Sequence, residues 1–355
     1  MKRYFSIGIT ALFILAIFAG FFSFGDVQAA SHGRSHSTIV VANRGSGDIS
    51  VIDARRGELL MNVPLPQDDG DNFPEPMYVV YTRPGDRVFV GDRANNRVVV
   101  FDADDFSVVG TVPTGAGVFH MWADPRGKQL WVNNDIDNTT TVINPRNLTV
   151  ITTIATPADL VAMGGKPHDV ILGPAGKLAY ISVLGLSGDN DYVVQFRTDT
   201  FEEIGRVAVG KDPHLSLNGR NRYLYVPTQG NNAVYILNRF NMNLVDVLEI
   251  PGAHGAGMGF NGRFFYTTNL PGGGTDALFT IDTKSNTVIG DPVDSPYAVP
   301  HNIALTLVPD KLYLTHSGAT SDKVTFYDVS NRNPIPVFAG EVTVGLNPFG
   351  ISFVP

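Results

Sequence analysis

Apolar and polar positions alternate in short bursts along this chain. Thr38 to Ala42 is β-branched and apolar, the stretch from Asn43 to Asp48 reads as a turn, and Ile49 to Asp53 is apolar again. The same grammar returns in Val79-Val80-Tyr81, the turn Pro84-Gly85-Asp86, and Val88-Phe89-Val90. Short apolar runs punctuated by Gly, Pro, Asn and Asp predict strands joined by tight turns. Many third segments end on Asp or Asn, as at Asp53, Asp102, Asn144, Asn238, Asp282 and Asp328. A side-chain oxygen there can accept from nearby amides and tighten the turn into an outer strand.

One unit carries Gly165-Lys166-Pro167-His168-Asp169-Val170, and altered copies recur. They are Val118-Phe119-His120-Met121, Asp212-Pro213-His214-Leu215, Gly252-Ala253-His254-Gly255 and Val299-Pro300-His301-Asn302. Glu75-Pro76-Met77-Tyr78 and Asn347-Pro348-Phe349-Gly350 keep the frame without the histidine. From Met77 to Phe349 the steps are 43, 48, 46, 40, 47 and 48 residues. A period in the forties made of four short strands predicts an all-β fold, a seven-bladed β-propeller with four-stranded blades. Complete blades are expected from Met77, His120, His168, His214, His254 and His301. The first sheet has three strands of its own, and the C-terminal segment from Phe349 to Val354 supplies its missing inner strand. That pairing closes the ring and removes an exposed edge.

Leu130-Trp131-Val132-Asn133-Asn134, Leu224-Tyr225-Val226-Pro227-Thr228 and Phe265-Tyr266-Thr267-Thr268-Asn269 resemble the Tyr-Val-Thr-Asn (YVTN) repeat. Proteins of that repeat family are exported seven-bladed propellers, and the resemblance covers residues 38–355. It implies the fold and leaves the activity open.

Composition agrees with strands and turns. Charged residues are 17% of the 355, Gly numbers 37 and Pro 23, which excludes a disordered chain. The net charge of −8 makes nucleic acid and anionic membrane surfaces poor candidates as partners. There is no cysteine, so disulfides, thiolate metal sites, c-type haem attachment and cysteine nucleophiles are all excluded.

Residues 1–29 read as a signal peptide: Lys2 and Arg3, then an uncharged apolar run from Phe5 to Phe24, then small residues at Val27-Gln28-Ala29. The run also approaches the roughly 20 residues that span a bilayer, so an uncleaved anchor is the competing reading. Residues 30–37 form a flexible polar tail before the propeller of 38–355. Export places the protein in the periplasm or outside the cell. After cleavage at Ala29, His32 becomes the third residue, where an amine, two amides and an imidazole can enclose Cu(II) or Ni(II) as a weak N-terminal metal site. A plain leader remnant is the alternative.

In a propeller the inner strand lines the central channel, and the recurrent position stands at its start. Around the ring it reads Met77, His120, His168, His214, His254, His301, Phe349, so five imidazoles are expected to meet at one mouth. Imidazole is a preferred ligand of copper, zinc, iron and nickel, which makes His120, His168, His214, His254 and His301 candidate metal ligands. His316, placed in the loop after Tyr313-Leu314-Thr315, and the soft ligand Met77 are possible additions. A column merely inherited through duplication is the alternative. The scarcity of carboxylates at this position turns away from calcium, magnesium and manganese. An all-nitrogen site in an exported protein points to copper, as a redox centre or a copper carrier, with another divalent metal as alternative. The hub resembles the propeller of nitrous oxide reductase, whose histidines carry a multinuclear copper centre, although Met77 and Phe349 interrupt the ring here. Three further readings stand beside it. One is a hydrolase or lyase similar to the propeller lactonases and streptogramin lyases, with a ring histidine as general base. Another is binding of haem d1, and the last a non-catalytic interaction scaffold. The partners expected are a metal ion and either a periplasmic electron-transfer protein or a small molecule.

Overall fold

The computed structural model describes residues 37–355 apart from positions 218, 260, 273, 308 and 309. Residues 1–36, with the expected signal peptide, most of the expected tail and His32, lie outside the described residues. Seven four-stranded antiparallel sheets follow one another, each ordered from inner to outer strand. Blade one contains Pro348–Val354, Thr38–Asn43, Asp48–Asp53 and Glu58–Pro64. Its inner pair, Val40 opposite Ser352 and Thr38 opposite Val354, is the expected closure of the two chain ends. Blades two to seven begin with the inner strands Pro76–Thr82, Val118–Ala123, Lys166–Leu172, Ser216–Leu217, Ala253–Met258 and Pro300–Leu305.

Large aromatics fasten the blades together. Phe89, Trp131, Tyr180, Tyr225, Tyr266 and Tyr313 occupy equivalent points of the second strands and are buried. Each ring removes on the order of 200 Å² from water. Four of the hydroxyls then cross to the following blade: Tyr180 to the Arg239 carbonyl, Tyr225 to Asn286, Tyr266 to the Pro334 carbonyl and Tyr313 to the Ala54 carbonyl. The apolar body supplies burial, and the buried hydroxyl finds the partner it needs. The Asp and Asn residues that end third strands behave as their sequence position predicts. Asp53, Asp102, Asn144, Asn238 and Asp282 each accept the amide two residues ahead.

The inner strands begin with an irregularity. In blade two Pro76 pairs with Asp92, and the next ladder partners are Val79 and Val90. Two residues of the inner strand therefore face one of its neighbour, a β-bulge that re-aims side chains. The same bulge recurs in blades one, three, four, six and seven. Blade five lacks the extra residue, since Pro213 bridges Thr228 and Ser216 pairs with Tyr225.

Candidate metal centre at the channel mouth

The bulge decides what reaches the hub. Its first position holds Met77, Phe119, His168, His254, His301 and Phe349; its second holds Tyr78, His120, Asp169, Gly255, Asn302 and Gly350. The five histidines thus come from two adjacent positions, not from one column. His120 sits one residue later than its apparent counterparts, and Phe119 takes the place equivalent to His168.

Second-position residues lean on the following blade. His120 reaches Asp169, whose carboxylate accepts the Nδ1 proton at 2.9 Å. Asp169 in turn accepts the Leu215 amide of blade five. Asn302 donates to the Phe349 carbonyl of blade one. At Gly255 there is no room for a side chain, because a Cβ would press on the His301 carbonyl. Second-strand side chains hold the same backbone from behind: Asn133 donates to the His168 carbonyl and Thr315 to that of Phe349.

All five imidazoles are in contact around the mouth. Ring centroids are 4.9 Å apart for His120–His168, 4.9 Å for His168–His214, 3.7 Å for His214–His254 and 4.9 Å for His254–His301. Tyr78 lies 3.7 Å from His120 and Phe349 4.4 Å from His301, which completes an aromatic circle with Phe119. The nitrogens do not converge on one point. His120, His168 and His214 bring ligand atoms within 4.8 Å of one another, and so do Asp212, His214 and His254. The hub is two overlapping triads sharing His214, with His301 outside both.

Several nitrogens are buried without a hydrogen-bond partner: Nε2 of His120, His168 and His214, and both nitrogens of His254. Unsatisfied buried polar atoms cost on the order of 1–3 kcal/mol each, and this many in one place is rare. Burial, followed by the neighbouring imidazoles, holds His168, His254 and His301 well below the usual histidine range. His120 is also lowered by burial, though Asp169 pulls it back toward the charged form. Burial favours the neutral acid of Asp169 and of Asp212. The histidines beside them outweigh it and keep both carboxyls below the ordinary range. His120, His168, His254 and His301 are therefore neutral near pH 7, the state a metal requires. The donor set suits a divalent transition ion, with one triad of three nitrogens and another of two nitrogens and a carboxylate.

His301 differs in kind. The Asn302 amide nitrogen donates to the Phe349 carbonyl at 3.0 Å, so its orientation is fixed, and it also faces His301 Nδ1 at 3.2 Å. Nδ1 therefore accepts, and the proton of the neutral ring lies on Nε2. Such a ring donates a hydrogen bond and is poorly set to bind metal through Nε2.

Two proposed additions fall away. His316 is the last residue of the strand Lys311–His316, not a loop residue, and is fully buried. Its Nε2 meets Thr325 Oγ1 at 2.9 Å and its Nδ1 meets the Ala298 carbonyl at 3.3 Å, so both nitrogens are engaged. Met77 is fully buried in an apolar cluster with Phe89, Val98 and Val100. In the acidic loop before Met77, residues 67–72, Asp71 accepts from Arg97, which also binds Asp92. Asp169, adjacent to His168 in sequence and a candidate to orient an imidazole, orients His120 instead, and sequence spacing gives no sign of Asp212, so the hub is richer in carboxylate than the repeat position alone indicates. Asp212 precedes the Pro-His pair at positive φ, and only the folded loop brings its carboxylate within 3.6 Å of His214. Behind the hub the channel widens into an apolar cavity of about 690 Å³ lined by residues such as Trp122, Ile171 and Ile351.

A seven-bladed propeller with imidazoles and carboxylates gathered at one mouth defines the class. The chain belongs to the lactonase, 7-bladed beta-propeller family, whose sequence model matches residues 25–245. No curated protein sequence matches it. Among solved structures it is similar to the Pseudomonas aeruginosa periplasmic gluconolactonase PpgL, with a TM-score of 0.68 and 16% identity over 90% of this chain and 99% of that one. A putative 6-phosphogluconolactonase from Bacteroides uniformis gives 0.66 and 17%, over 89% and 99%. The dihydro-heme d1 dehydrogenase NirN gives 0.60 and 13%, over 89% and 75%. At these identities the likeness is one of fold.

Proposed function

We propose that the hub is a metal-assisted hydrolase site acting on a lactone. The observation that carries this reading is the set of buried imidazole nitrogens left without partners beside Asp212. Family membership and the gluconolactonase-type neighbours support it. His120, His168 and His214 would hold the ion, or else Asp212, His214 and His254. A divalent ion held there would supply Lewis acidity toward an ester carbonyl and would activate water as a nucleophile. The protein's own groups do the rest. Asp169 fixes the His120 tautomer so that Nε2 faces the hub, and the Nε2 proton of His301 is available to an oxygen on which charge develops. Tyr78, Phe119 and Phe349 form an apolar wall on the opposite arc. The test is hydrolysis of a panel of lactones by the protein purified from an exporting host, before and after chelation. Turnover abolished by chelation and restored by one divalent ion is the expected result; turnover indifferent to chelation removes the metal from the reading.

A second reading is a copper redox centre or copper carrier. It is favoured by the triad of His120, His168 and His214, which offers nitrogen alone. Stoichiometric copper in the native protein, with no lactone hydrolysis, would establish it instead.

A further inference from the structure

Charge is divided unevenly between the two faces of the propeller. On the face bearing the hub, the loops and adjoining strand ends carry carboxylates over cations by more than two to one. On the opposite face the tight turns hold slightly more Arg and Lys than Asp and Glu. The hub-face cations are already committed. Arg44 and Arg93, which stand 5.7 and 5.6 Å over the Phe349 and Phe119 rings, are paired with Glu75 and Asp135. Lys211 is paired with the buried Asp191 at 2.8 Å. Among the described residues of this face, Lys166 is the exposed ammonium without an ion pair, and exposed carboxylates such as Asp69 and Asp189 outnumber it. At the floor, both nitrogens of His254 are unpartnered although the residue is only 6% exposed, and the nearest carboxylate is that of Asp212. The mouth therefore carries ligand-seeking nitrogen inside a negative rim.

A phosphate group approaching this mouth meets like charge at the rim and finds no uncommitted guanidinium to receive it bidentately; a divalent ion held in the hub would attract any anion, so discrimination falls to the rim. We propose that this hub selects uncharged or cationic lactones and rejects phosphorylated ones, an inference that rests on the lactonase reading above. It separates this chain from any member of its family that takes a phosphosugar. Selection here is by repulsion as much as by contact.

The experiment compares kcat/KM for glucono-δ-lactone and its 6-phosphate at low and at raised ionic strength. The expected result is a preference of about tenfold or more for the uncharged lactone in dilute buffer. It should narrow near 0.15 M salt, where the screening length falls to about 8 Å. Asp69→Lys combined with Asp189→Lys should raise the relative rate on the phosphate. Equal or inverted preference in dilute buffer, or a ratio unmoved by the double variant, overturns the proposal. If neither lactone is hydrolysed, the hydrolase reading has failed and the charge inference is decided by calorimetric titration of inorganic phosphate. No saturable binding up to about 1 mM upholds rejection of anions, and saturable binding overturns it.

Discussion

Asp169 of blade four accepts the Nδ1 proton of His120 in blade three at 2.9 Å, while its other oxygen takes the Leu215 amide of blade five at 2.8 Å. One carboxylate thereby ties three blades together at the hub and fixes which nitrogen of His120 faces the ring. Asn cannot serve both partners, because one end of its amide is a donor facing a donor. Asp169→Asn should weaken metal binding by about 10–100-fold and cost about 1–3 kcal/mol of stability. Metal titration and denaturant unfolding of the metal-free protein check the two effects separately.

The histidines should not behave alike. His214 belongs to both triads, so His214→Ala should abolish metal retention. His301 lies outside both, so His301→Ala should keep the metal while lowering kcat by about 100–1,000-fold, the scale of losing one oxyanion donor. Elemental analysis beside turnover reads both; loss of metal from the His301 variant would place that ring among the ligands.

Gly255 marks a point where the bulge meets the next blade. A Cβ built there lies 1.8 Å from the His301 carbonyl oxygen, which is backbone and cannot swing aside. Gly255→Ala should therefore cost about 3 kcal/mol or more and disturb metal binding at His254. A thermal melt within a degree or two of the parent would show that the two blades can separate at little cost.

Acid should destabilise the fold through His316. Burial pushes its pKa down to about 4, against about 6.5 in an unfolded chain. The unfolded state takes up the proton first as pH falls, so stability is full above about pH 6.5 and is lost progressively toward pH 4. The loss from this residue reaches about 3 kcal/mol. His168, His254 and His301 shift in the same direction in the metal-free protein. Unfolding free energy measured from pH 7 to pH 4 should fall, and His316→Asn should flatten part of that fall even if it lowers the whole curve.

The acidic mouth should also draw cations in. Association of a divalent metal with the hub should slow as salt is added, by roughly tenfold between 10 mM and 150 mM ionic strength. Stopped-flow measurement gives the dependence; a salt-independent rate would mean that the rim carboxylates do not steer entry.

The repeat made most of this protein legible before folding. Apolar bursts and turn residues give strand length, the period in the forties gives the blade, and the unpaired three-stranded first sheet gives the closure by Phe349–Val354. The placement of His168, His214, His254 and His301 at the start of inner strands followed as well, because strand order and direction within a blade are local properties of the chain. What the spacing could not carry is the inner-strand bulge, one residue that exists in six blades and is missing from blade five. That residue brings His120 to the ring from the neighbouring position and sends Asp169 across a blade boundary, while Met77 is taken up by the apolar cluster around Phe89. Asp212 joins by a loop with positive φ, and His316 is lost to Thr325 and Ala298 by the length of its strand. The number of histidines at the mouth was thus a matter of period. Which of their nitrogens meet, and beside which carboxylates, was decided only when seven sheets packed against one another, since side-chain direction at a bulge is set by the neighbouring blade and not by the chain on either side of it.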